Sequence, residues 1–222
     1  MGSVLIDLTP VIIGAIALPV WLIIVLLLLQ SSNGVTKALA FLGGATLARL
    51  TQGILFGLVF GANDSESDGT IKYTLLLVLG ILLWVTAIKK IRKEEDPDAP
   101  PPKWLTSVGG MSAVKAFGVG ALLIVIAPKL WVFTLSAIAI IEAAALGMFG
   151  GVVAYLLYVL IAQSVLLFVI VAAAWSPEKS APMLDSMNRW LEKNNSIIVI
   201  IVSVIFGGYF LWQGITGLAL FA

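Results

Sequence analysis

Two cations sit where a soluble reading would not put them. Lys129 lies in "VIAPKLWVF" (125–133) and Arg49 in "LARLTQG" (47–53), each near the middle of a long apolar run. A charge at the centre of a membrane helix costs about 2.5–3.5 kcal/mol on insertion scales. A lysine side chain reaches only about 6 Å, too short to carry its ammonium from mid-bilayer to either surface. The acids that could neutralise the pair are poorly placed, because Asp7 and Glu142 fall near the ends of their apolar runs. The chemistry these residues offer is therefore the binding of a negative group that comes from outside the chain. Gln52, three residues after Arg49, shares its helical face and could orient such a group. Two other readings stay open: both cations bond backbone carbonyls freed by broken helices, or Lys129 titrates and couples transport to protons.

Much chemistry is excluded. The 222 residues include no histidine and no cysteine, which removes thiolate metal sites, iron–sulfur clusters and the usual general base. A divalent-cation carrier needs oxygen ligands at mid-membrane, and the carboxylates are not there. Ser136 follows Lys129 by seven residues, yet no oxyanion-forming motif accompanies this Ser–Lys pair. The expectation is a protein that is not an enzyme and uses no metal, cofactor or nucleic acid.

The elements that must position Arg49 and Lys129 are membrane helices. The chain is 60% hydrophobic and 11% charged, against about 45–50% and about 25% in soluble domains. Six stretches approach or exceed the roughly 20 apolar residues of a span: about 4–30, 36–60, 71–91, 113–142, 147–175 and 196–221. Ten lysines and arginines (37, 89, 90, 92, 93, 103, 115, 179, 189 and 193) flank the loops after spans one, three and five, whereas Lys72 alone lies on the other side. The positive-inside rule then predicts a bacterial cytoplasmic-membrane protein with both termini outside. The linker 92–112, with "KKIRKEEDPDAPPPKW" across its start, divides a first half (1–91) from a second (113–222) and reads as an extended spacer. Met183, Leu184, Met187, Trp190 and Leu191 recur at helical spacing, predicting an interfacial amphipathic helix over about 181–193.

The halves resemble each other. "IALPVWL" (16–22) parallels "VIAPKLW" (125–131), and Gly43-Gly44 parallels Gly150-Gly151. With three spans per half the repeat must be inverted, an arrangement of secondary transporters whose sites lie at helix breaks. Pro19 and Pro128 are the expected breaks, since proline removes a donor and clashes with the preceding turn. Trp21 and Trp131 follow them closely and would flank the path. Gln163, Ser164 and Glu142 are further pathway candidates, while Gly53, Gly57 and Gly61 form a small-residue seam that suits a homodimer or internal packing.

On these residues the chain resembles the lysine exporter superfamily, whose second half carries Asn-Pro-Lys at this break. Within that superfamily it is most similar to the GAP family of peptidoglycolipid- and sulfolipid-addressing proteins. "LPVWLIIVLLLLQSSNGVTKALAFLGGATL" (18–47) resembles that family's opening and "KAFGVGALLIVIAPKLWVF" (115–133) its second-half signature. Ala127 stands where asparagine is usual, and "ALPV" (17–20) replaces the Asn-Pro-Gly-Pro of amino-acid exporters. The resemblance implies export or flipping of an envelope lipid or glycolipid. An amino-acid-like exporter and a membrane scaffold for a lipid-synthesis enzyme are the alternatives. The expected architecture is an all-α membrane protein of six helices in a 3+3 inverted repeat.

Overall fold

The computed structural model describes residues 2–17, 19–61, 68–92, 107–175 and 177–219. The described residues are helical throughout, without strands. The helices are α1 (Gly2–Ile16), α2 (Pro19–Leu29), α3 (Gly34–Gly61), α4 (Asp68–Arg92), α5 (Ala113–Ile126), α6 (Pro128–Ala143), α7 (Gly147–Trp175) and α8 (Pro177–Ala219), with a 3₁₀ turn at Val108–Gly110. Four helices are long and apolar enough to cross a membrane, and the number rises to six if each of two bent pairs counts as one span. The bent pairs are α1 with α2, at 54°, and α5 with α6, at 70°. This is a multi-pass membrane protein. Most of the linker, residues 93–106, lies outside the described residues, as does the acidic stretch 62–67.

Local chemistry sets the helix ends. Ala127 takes φ −92° and ψ 104°, the extended conformation that a following proline imposes, and Pro128 opens α6 at a position where its missing N–H costs nothing. The turn into α3 passes through Asn33 at φ 55°. Lys37 braces that turn by donating to Ser31 Oγ (3.0 Å) and to the Gly109 carbonyl (3.3 Å), which ties the chain returning from the linker to the start of α3.

The segment expected as a separate amphipathic helix runs unbroken into the last span. No glycine or proline separates Lys193 from Ile197, and Asn194 Nδ2 bonds the Trp190 carbonyl within the helix (2.8 Å). At about 65 Å, α8 far exceeds the hydrocarbon thickness, so part of it must lie beyond the bilayer core. The expected apolar stripe is split: Leu184 and Leu191 are buried against the protein, while Met183 and Trp190 are exposed.

Packing joins the halves. α4 runs along α8, where a Cβ added at Gly80 would meet Leu211 N at 2.7 Å. α3 crosses α5 reciprocally: Gly44 lies against the Phe117 carbonyl, and Gly120 against the Phe41 carbonyl, so a side chain at either glycine would strike backbone. Several pairings recur four helices on, although α1 with α6 and α7 with α8 have no counterpart of that extent among the described residues. α3 with α5 is matched by α7 with α1, α4 with α6 by α8 with α2, and α2 with α3 by α6 with α7; α4–α8 and α3–α7 map onto themselves.

The buried apolar side chains form two clusters. One occupies the basic end and includes Ile24, Leu28, Phe41, Val108, Ala116, Ile170 and Leu191. The other occupies the opposite end and includes Leu8, Ile12, Leu79, Phe133, Tyr158 and Phe210. The first bent pair changes direction at the seam between these clusters, with Ala15 in one and Trp21 in the other; the second crosses between Leu130 and Val132, about a turn after its bend.

Candidate functional site

The seam is polar. Arg49 is only 6% exposed and Gln52 only 4%, on adjacent turns of α3. Arg49 Nη1 and both amide atoms of Gln52 are buried without a hydrogen-bond partner. The guanidinium lies beside Trp21, whose ring centroid is 6.0 Å from Arg49 Cζ. That distance is the outer limit of a cation–π contact, which is worth about 0.5–2 kcal/mol and leaves Nη1 without a hydrogen bond. Buried polar groups without partners are rare because each costs about 1–3 kcal/mol, more when charged.

Arg49 faces a crevice built where α1 gives way to α2. Ala15 and Ile16 contribute from α1, Trp21 and Leu22 from α2, Leu42 and Ala45 from α3, and Ala162, Gln163, Val165 and Leu166 from α7. About 30 Å³ of it is open to the centre of a water molecule, room for about two waters. As it stands the crevice is too small for a headgroup, so any such occupant requires the surrounding helices to part. Gln163 is 6% exposed. Thr46 Oγ1 lies 2.9 Å from Gln163 Oε1 and 2.7 Å from the Leu42 carbonyl. The Thr46 hydroxyl lies within hydrogen-bonding reach of both oxygens and ties Gln163 to α3. The wall thus offers a cation and an amide, with an indole face beside them.

The second break is more completely closed. Trp131 Nε1 donates to the Val125 carbonyl at 2.6 Å across the bend, satisfying one of the groups that the break frees. The Trp131 ring packs edge-on against Phe56 of α3 (5.4 Å). The side chains of Pro128 and Lys129 lie outside the described residues.

The expected residues are therefore distributed. Arg49, Trp21 and Gln163 meet at the crevice. Gln52 is buried one turn along α3, and Trp131 seals the α5–α6 bend. Ser164 is exposed and donates to its own helix at the Ile161 carbonyl (2.7 Å). Glu142 lies one residue before the end of α6, remote in sequence from the bend. Gly53 is occupied within the chain: the Tyr155 ring fills the space a Cβ would need, and Tyr155 Oη donates to the Arg49 carbonyl (2.6 Å). Gly57 faces open space, and the side-chain surroundings of Gly61 lie outside the described residues.

Two contributors escaped sequence reading. Thr46 sits one turn before Arg49 on the same face, and the helical period carries the signal. Tyr155 had no such signal, because its contact joins α7 to α3 over 106 residues of sequence.

No curated protein and no solved structure matches this chain. A family model does, described as Sap, sulfolipid-1-addressing protein, over residues 8–216. With that match running from α1 to the end of α8, over helices that build an unpartnered arginine into the seam of a membrane protein, the chain belongs to the sulfolipid-1-addressing protein (Sap) family.

Proposed function

We propose that the protein moves an envelope lipid or glycolipid with an anionic headgroup outward across the bacterial cytoplasmic membrane. The observation that carries this reading is Arg49, buried at mid-membrane with an unpartnered Nη1 and open to a crevice at a helix bend. A sulfolipid headgroup, the chemistry in the family's name, carries the negative charge such a site lacks. A guanidinium suits acidic oxygens in pairs. In this reading Arg49 and Lys129 neutralise the headgroup, Gln52 and Gln163 orient it, and Trp21 and Trp131 border its path. The protein acts by binding and conformational change and not as an enzyme.

The architecture proposed is a 3+3 inverted repeat, with spans one and four broken at Pro19 and Pro128 and both termini outside. The recurrence of helix pairings four helices on supports it. So does the division of the apolar core into two clusters with the polar seam between them. Opening one cluster at a time would expose the seam alternately to each side, as transport through a central site requires.

The test is mass spectrometry of lipids copurifying with wild type and with Arg49→Gln that retains its thermal transition. An anionic lipid enriched in wild type and lost from the variant is the expected result. The same lipids in both would overturn the reading and return Arg49 to a bracing role.

A further inference from the structure

The crevice that holds Arg49 has a mouth, and its position bears on what can enter. Most of its lining is buried; the accessible residues are Val165, 39% exposed, with Ile16 and Leu22 half-buried beside it. All three are apolar. Val165 lies ten residues from the nearer end of α7, about 15 Å along the axis. Since α7 is 29 residues long, about 43 Å against a hydrocarbon core of about 30 Å, Val165 falls inside the hydrocarbon. Ile16 and Leu22 flank the α1–α2 bend, in the interior of the first span. The mouth therefore opens sideways, toward acyl chains, and the cation lines the same crevice.

We propose that the gap between the α1–α2 bend and α7 is a lateral portal through which a bilayer amphiphile reaches Arg49. Once the α1–α2 bend and α7 part, its acidic headgroup sits on the guanidinium beside Gln163, and its tails pass between Leu22 and Val165 and stay in the bilayer. This rests on the transport reading above and narrows it: the ligand is a membrane-resident lipid that never crosses as a free solute. An apolar lip suits this occupant, because the tail contacts the same kind of surface on both sides of the mouth while only the headgroup is desolvated. Arg49 then repays that desolvation by pairing with the headgroup in a low-dielectric site.

The absence of native cysteine makes the test direct. Bimane is attached to Val165→Cys in vesicles, and its quenching is compared for brominated-chain phosphatidylglycerol, brominated-chain phosphatidylcholine and aqueous iodide. Bimane at Leu160→Cys, 57% exposed on α7 and outside the crevice lining, reports the ordinary lipid-facing surface. The expected result is quenching at position 165 by both bromolipids and not by iodide, with an excess for the anionic lipid that is missing at position 160. Arg49→Gln abolishes that excess. Quenching at 165 by iodide and not by bromolipid would overturn the portal while leaving Arg49 to receive a water-borne anion. Equal quenching by the two bromolipids, with iodide silent, would place the mouth in the bilayer but overturn Arg49 as the headgroup's seat, and the transport reading with it.

Discussion

At the scale of single residues, the question is whether Arg49 serves a ligand or the fold, and the two answers differ in sign. A buried cation with an unpartnered nitrogen and a marginal indole contact is a net cost to the resting protein. Replacing a buried, unpaired charge with an apolar side chain of similar length removes its desolvation penalty. Arg49→Met is therefore expected to raise the thermal midpoint in detergent while removing copurified anionic lipid. If Arg49 were a brace, the same substitution would lower the midpoint. Gly53 gives a second prediction on the same helix. A methyl there collides with the Tyr155 ring, which is pinned by its bond to the Arg49 carbonyl, whereas a methyl at Gly57 meets nothing. Gly53→Ala should cost about 1–3 kcal/mol from overpacking and Gly57→Ala almost nothing, measured by thermal unfolding. Equal effects would show that the three glycines form one external seam.

At the scale of elements, the α5–α6 bend is held by few bonds. Ala127 O accepts from Leu130 N (2.9 Å) and Trp131 N (3.3 Å), while the alanine side chain supplies no cap to α6. A polar residue at that position should add one. Ala127→Asn is expected to stabilise the protein by about 0.5–2 kcal/mol, read as a higher midpoint, and Trp131→Phe to lose about 1 kcal/mol with the Val125 bond. An Ala127→Asn variant with an unchanged midpoint would mean that the N-terminus of α6 is already satisfied. How much of these elements the sequence disclosed depends on where their determinants lie. The helices are legible because apolar runs and prolines act locally, and Ala127 takes the conformation that Pro128 demands. The unbroken α8 is not, because the charged residues of 185–194 read as surface, and only the packing of Leu184 and Leu191 against the core reveals their burial. Within the site, Arg49 stands out as a charge in an apolar run. Of its surroundings, Trp21 and Gln163 stand out as candidates too, whereas Tyr155 bonds its carbonyl from a helix more than a hundred residues away and carries no such signal.

At the scale of the whole molecule, the proposed 3+3 repeat bears on orientation, because a repeat unit with three spans would leave the two halves facing opposite ways. The short sequence echoes between "IALPVWL" and "VIAPKLW" could not carry that proposal alone; the packing of α3 on α5 and of α7 on α1 is consistent with it. The charges predict an absolute direction, with ten cations around three loops and one around the acidic loop, since lysine and arginine are retained on the cytoplasmic side at the level of loops. The native chain has no thiol, so single cysteines report the topology directly. Ser3→Cys lies at the start of α1 and Ser32→Cys in the exposed turn before α3. In intact cells a membrane-impermeant maleimide should label Ser3→Cys and leave Ser32→Cys unmodified until the membrane is broken. Labelling of Ser32→Cys alone would invert the molecule and with it the direction of transport. Labelling of both in intact cells would place the two ends of the first bent pair on one side. That would make α1 and α2 a re-entrant loop, leave an even number of crossings in the first half if the other helices span, and remove the inverted repeat on which an alternately opened seam depends.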